Sequence, residues 1–180
     1  MTIIAVRHTT VDVPSGICYG QTDVETAATF ENEKEQIVRK LLPEQFQAVY
    51  SSPLTRCRKL AETISKGLPV IYDSRLMELD FGTWEGQPWD EISRTDEAKR
   101  WFSDWINTSC PEGESYQQLI VRVQDFLRQI TCIHKKVLIV THAGPIRALT
   151  GLISTFEKSK TFEIKIDFGS ITKLIVNDYI

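Results

Sequence analysis

The sequence predicts an α/β protein built on a mainly parallel sheet, and three observations carry the prediction. Two apolar runs, Thr2-Ile3-Ile4-Ala5-Val6 and Val137-Leu138-Ile139-Val140-Thr141, are short, β-branched and unbroken by charge. Strands buried on both faces of a parallel sheet have that pattern. Between the two runs, stretches of helical period alternate with shorter apolar segments, as they do in strand–helix–strand units. The chain has 180 residues, 42% of them apolar and 25% charged, which fits one domain over residues 1–180 with a sizeable core.

The first strand ends in Arg7 and His8, and ligands of open α/β sheets bind beyond the carboxyl edge of the strands. A loop follows, marked by Pro14-Ser15-Gly16 and Gly20. From about Thr26 to Leu42, Ile37, Val38, Leu41 and Leu42 fall at helical spacing, and Pro43 ends the helix. Phe46 to Tyr50 reads as a short strand. Ser52 then suits an N-cap and Pro53 a first helical position, with Leu54, Cys57, Leu60, Ala61 and Ile64 as the buried stripe. Arg56 falls in the first turn of that helix, where free N–H groups and the helix dipole already favour an anion.

Val70-Ile71-Tyr72 reads as a strand and Leu76 to Gly86 as a structured loop that carries Glu78, Asp80 and Glu85. Met77, Leu79 and Phe81 can desolvate Glu78, and burial of that kind raises a carboxyl pKa. Trp89 and Ile92, then Trp101, Phe102, Trp105 and Ile106, read as short helices with an aromatic face. Ser115 and Gln118 form a capping-box pattern ahead of the clearest helix, whose period runs from Tyr116 to about Thr131. After the strand Val137–Thr141 come His142-Ala143-Gly144-Pro145 and a helix around Ile146 to Ile153. Ile164, Ile166 and Phe168, and then Thr172, Leu174 and Val176, alternate as half-exposed strands near a sheet edge.

Bulk properties exclude several functions. A formal charge of -3 gives no basic footprint for nucleic acid, and no apolar run approaches the roughly 20 residues that span a bilayer. The chain enters a strand at once without a secretory signal pattern, so a cytoplasmic location is expected. Cys18, Cys57, Cys110 and Cys132 lie far apart and form neither a zinc ribbon nor a redox pair, so reduced thiols are expected. His134 reads as a solvated turn residue.

If the strands are parallel neighbours, Arg7, His8, Arg56 and His142 converge on one crevice. Two cations, two imidazoles and a helix N-terminus call for a multiply charged anion, and phosphate fits. A neutral imidazole can attack phosphorus, fixed donors can stabilise the equatorial oxygens, and a carboxylic acid must protonate the leaving alkoxide. Glu78 is the candidate acid, with Asp80 and Glu85 in reserve.

Four stretches now carry a resemblance: Val6-Arg7-His8-Thr9, Ser51-Ser52-Pro53-Leu54-Thr55-Arg56-Cys57, Glu78-Leu79-Asp80-Phe81-Gly82-Thr83-Trp84-Glu85-Gly86 and Thr141-His142-Ala143-Gly144-Pro145-Ile146-Arg147. In order and span they resemble the histidine phosphatase superfamily, the phosphoglycerate mutase-like fold. The resemblance implies a three-layer α/β/α sandwich without metal or cofactor. It implies His8 as nucleophile, Arg7, Arg56 and His142 as the phosphate pocket, and Glu78 as proton donor. Gly16 to Val24 and Glu78 to Gly86 further resemble the α-ribazole phosphatase branch, whose members remove the phosphate of α-ribazole 5′-phosphate in cobalamin assembly. Thr9 stands where the wider family has glycine, Pro14 where it has asparagine, and Glu25-Thr26 where Pro-Leu is typical.

The substrate contacts expected are Thr9, Gly20, Gln21, Thr22 and Ala143, with at least one of Tyr19, Trp84 and Trp89 against a planar base. Core packing is the plainer reading of the tryptophans. The expected partner is a small-molecule phosphate ester, and exposed aromatics are compatible with a homodimer. A sugar-phosphate phosphatase or phosphoglycerate mutase is the enzyme alternative, although a mutase needs more basic groups at the pocket mouth. A non-catalytic phosphate-binding module is the alternative of another class, and it does not require both a nucleophile and a proton donor.

Overall fold

The computed structural model describes residues 1–154 and 158–177, without the side chains of Lys158 and Ser159. Among them, β1 (Thr2–Arg7), β2 (Ala48–Ser51), β3 (Val70–Tyr72), β4 (Lys136–Thr141) and β5 (Ile171–Ile175) form one sheet in the order β3-β2-β4-β1-β5. The first four strands run parallel to their neighbours, and β5 lies antiparallel on the outer edge of β1.

The period of two along each strand divides the core. Ile3 and Ala5 of β1 and Val137 and Ile139 of β4 face α3 (Trp89–Ile92), α4 (Asp96–Ser103), α5 (Tyr116–Thr131) and α6 (Ala143–Ile153). Ile4, Val6, Leu138 and Val140 face α1 (Phe30–Leu41) and α2 (Thr55–Ile64). Three layers, α/β/α, result. Because β1 and β4 are covered on both sides, they need apolar residues at every position, hence their unbroken runs. Of the helices, α5 has the expected capping box. The Ser115 hydroxyl accepts from Gln118 N at 3.3 Å and the Gln118 side chain accepts from Ser115 N at 2.7 Å.

Three sequence expectations shift. Helix α1 starts at Phe30 rather than Thr26, because the backbone before it pairs with the loop after β1: Asp12 N donates to Glu25 O at 3.0 Å and Ala27 N to Thr10 O at 2.9 Å. Helix α2 starts at Thr55, with Leu54 at the N-cap position. Ser52 instead continues the end of β2, its N–H donating to Val140 O at 3.0 Å. The alternating run Ile164, Ile166, Phe168 is no strand. It is an extended strap after a 3₁₀ turn (Lys158–Glu163), and the carbonyls of Ile164 and Ile166 accept from Arg147 Nε at 3.0 Å and Arg7 Nη1 at 2.6 Å. The second run does form the antiparallel edge strand β5.

All four cysteines are free thiols. Among the described residues, no helix is long and apolar enough to cross a membrane.

Candidate active site

The register of β1 on β4 pairs Arg7 with Thr141, so the next residues, His8 and His142, leave the sheet side by side. Their rings are 5.0 Å apart, edge to face, and both are buried. The carbonyl of Thr9 lies 2.7 Å from His8 Nδ1. A carbonyl only accepts, so Nδ1 carries the proton and Nε2 keeps its lone pair. Burial, reinforced by the charges of Arg56 and Arg7, holds His8 well below the usual imidazole range.

The end of β2 completes the crevice. Arg56 Nε donates to His142 Nδ1 at 3.3 Å, so the other nitrogen of His142 bears the proton and donates to Ser52 Oγ at 2.9 Å. His142 is likewise held well below its ordinary value, by burial first and then by Arg56 and His8. Arg56 is itself fully buried and fixes the loop after β1, its Nη1 donating to Thr22 O at 2.8 Å and its Nη2 to Gly20 O at 2.6 Å. Arg7 lies 3.8 Å from the ring centre of Phe168. Among the described residues, none of Arg7, Arg56 and Arg147 has a carboxylate within ion-pairing distance. Positive charge concentrated without a direct ion-pair partner suits a small polyanion.

Next to the histidines opens a cavity of about 280 Å³ lined by Arg7, Tyr19, Glu78, Phe81, Trp89 and Arg147, among others. Of the three loop acids only Glu78 lines it. The Glu78 carboxylate accepts from Leu79 N at 3.0 Å and, at the start of α6, from Gly144 N at 3.0 Å. Glu85 is occupied elsewhere, accepting from Gln21 N at 2.8 Å, Thr22 N at 2.6 Å and Phe81 N at 3.1 Å. Asp80 accepts from Gly82 N at 2.9 Å. Gly20 sits where Glu85 and Leu79 close in. A Cβ there would meet Glu85 Oε1 at 2.2 Å and Leu79 O at 2.6 Å, and its φ of +24° disfavours any other residue.

The expected contacts therefore separate. Tyr19, Gly20 and Ala143 line the cavity. Thr9 orients His8 through its carbonyl, and its buried hydroxyl has no hydrogen-bond partner among the described residues. Gln21 and Thr22 do not line the cavity: their backbone N–H groups hold Glu85, the Gln21 side chain donates from Nε2 to Glu78 O at 3.0 Å, and Thr22 adds a carbonyl to Arg56. Trp84, expected on the substrate side, is 4% exposed and packs in the core at 5.8 Å from Trp101. Phe81 and Trp89 take its place on the wall. Sequence reasoning gave Arg147 no role, yet it too lines the cavity. The available signal was its spacing, one turn of α6 beyond Gly144.

The family model of the histidine phosphatase superfamily (branch 1) matches residues 3–179. The chain belongs to that superfamily. Phosphoserine phosphatase 1 of Hydrogenobacter thermophilus is 28% identical over 175 residues, 93% of this chain and 83% of that protein. The α-ribazole phosphatase of Shigella flexneri superposes with a TM-score of 0.89 at 22% identity, covering 99% of this chain and 92% of that one. A mycobacterial glucosyl-3-phosphoglycerate phosphatase does so at 0.85 and 22%, covering 96% and 88%. At such identities the superpositions speak for the fold. As a histidine phosphatase the chain has its clustered histidines and arginines where the sheet edge meets the cavity. Among the described residues no three His, Cys, Asp or Glu side chains are grouped as metal ligands would be.

Proposed function

We propose that the protein is a metal-independent phosphomonoesterase that works through a phosphohistidine on His8, with α-ribazole 5′-phosphate as its substrate. The observation that carries the chemistry is the state of His8: an uncharged ring whose Nδ1–H is engaged by Thr9 O, so that Nε2 alone is free to attack. Nε2 forms a bond to phosphorus as the ester oxygen leaves with its electron pair. Arg7, Arg56 and His142 stabilise the charge on the equatorial oxygens. Glu78, in its protonated form, gives the leaving alkoxide its proton. It then takes one from the water that attacks the phosphohistidine, and the P–N bond breaks to release inorganic phosphate.

The substrate reading is supported by the aromatic wall of Tyr19, Phe81 and Trp89, by the resemblance of the loop Gly16 to Val24, and by the likeness in fold to an α-ribazole phosphatase. A second reading, a phosphorylated carboxylic acid, is favoured by Arg147. This arginine is partly buried on the cavity wall, and its only hydrogen bond among the described residues is from Nε to Ile164 O.

The test is phosphate release from α-ribazole 5′-phosphate, phosphoserine and 3-phosphoglycerate, with chelator present, for wild type, His8→Ala and Arg147→Met. The proposal expects release that survives the chelator, disappears in His8→Ala and is fastest on α-ribazole 5′-phosphate. Faster release from a carboxylate-bearing ester, lost selectively in Arg147→Met, would move the protein to the second reading. Wild type indistinguishable from His8→Ala would leave a phosphate-binding module.

A further inference from the structure

Beside the catalytic cavity lies a second cleft, of about 480 Å³, walled by Phe81, Trp89, Trp101, Phe102, Trp105 and Phe162. That volume lies within the range of about 300–1,000 Å³ typical of small-molecule sites. The rings are arranged edge to face or tilted, with Trp101 and Phe102 at 5.1 Å and Trp105 and Phe162 at 4.1 Å. They thus offer several π faces to a flat guest. Among the described residues the polar lining is Asp90 and Ser93, with no lysine or arginine, and the carboxylate repels an anion. The occupant is therefore not an anion, and the ring faces suit a flat, largely apolar group.

The cleft adjoins the catalytic cavity. Phe81 and Trp89 line both, in contact with each other at 5.2 Å. Arg147, on the cavity wall, lies 5.1 Å from the ring centre of Phe162, on the cleft wall. A leaving group that extends from Glu78 past Phe81 and Trp89 reaches this cleft.

We propose that the cleft seats a flat, apolar ring carried by the leaving group, so that the enzyme selects phosphate esters of ring-bearing alcohols over the same esters without the ring. The inference rests on the phosphomonoesterase reading and assigns the ring of its substrate a place. It also separates the two ends of recognition, charge at the sheet edge and stacking in the cleft.

The experiment compares α-ribazole 5′-phosphate with ribose 5-phosphate, which has the same reacting end and the sugar but no aromatic ring. Phe102 is half-exposed, so Phe102→Ala spares the fold, and Ser93→Trp fills the cleft from its rim. Wild type is expected to favour the ring-bearing ester in kcat/KM by about tenfold or more. Either variant should cut that preference about threefold to tenfold and leave ribose 5-phosphate unchanged, in line with the loss of one aromatic contact. A preference that neither variant alters, or none in wild type, overturns the proposal while the phosphatase stands. If no ester is hydrolysed, the phosphatase reading fails and a binding measurement still decides on the cleft. Phosphate-free α-ribazole should quench the tryptophan fluorescence of His8→Ala, and less so that of His8→Ala with Ser93→Trp. Absence of quenching rejects the cleft as a ring site.

Discussion

The distance that matters most at the residue scale is the 3.0 Å between Gly144 N and Glu78 Oε1. A Cβ on residue 144 would stand 2.2 Å from that oxygen, so glycine there is what lets the acid reach the start of α6. Glu78→Gln should lower kcat/KM, which reports the steps through departure of the leaving group, on an alkyl phosphate by about 10²–10⁴, the usual contribution of a positioned general acid. The loss should be much smaller on p-nitrophenyl phosphate, whose leaving group departs without a proton. Gly144→Ala should give the same leaving-group signature in a folded protein, and equal losses on both esters would remove Glu78 from the proton-donor role. Arg7, His8 and His142 were legible in the sequence because each follows an apolar run whose end marks a sheet edge. The choice between Trp84 and Trp89 was not. Both belong to the same aromatic stretch, and which of them turns inward is decided by packing against Trp101, from a later helix, and against Phe81.

At the scale of elements, the strap Phe162 to Phe168 sets both arginines of the cavity. Its carbonyls hold Arg7 and Arg147, Phe168 stacks under Arg7 at 3.8 Å, and the same ring lies 5.5 Å from His8. The period of two in Ile164, Ile166 and Phe168 looked like a strand because an extended backbone alternates its side chains whether or not it has a ladder. What replaced the ladder were guanidinium groups, one of them 159 residues away in the chain. No local pattern carries that information. The start of α2 was misplaced for a related reason: Ser52, a good N-cap by type, is taken up by His142 at 2.9 Å. Phe168→Leu should lower kcat/KM about twofold to fivefold, the size of one exposed cation–π contact. Because Arg7 serves the phosphate, the loss should be equal for α-ribazole 5′-phosphate and ribose 5-phosphate, and Phe168→Tyr should restore it. A loss confined to the ring-bearing ester would place Phe168 with the leaving group.

For the molecule as a whole, the crossing of β4 between β1 and β2 brings three chain segments to one edge and buries two imidazoles there. Burial and the neighbouring arginines keep both uncharged in the folded protein, whereas in the unfolded chain each titrates near its reference value of about 6.5. Above that pH both states are neutral at these positions and the histidines add nothing to the pH dependence. As the pH falls below it, the unfolded chain binds protons that the folded chain refuses, so stability drops. Urea unfolding should therefore show a lower midpoint at about pH 5.5 than at about pH 7.5, and part of that drop should vanish when His8 and His142 are both replaced by asparagine. Inorganic phosphate should oppose the drop, since an anion bound only by the folded state stabilises it by mass action and favours imidazolium beside it. An acid sensitivity that the double substitution leaves unaltered would mean that the two rings take up protons alike in the folded and unfolded states. The fold would then do nothing to keep His8 neutral with its Nε2 lone pair free to attack.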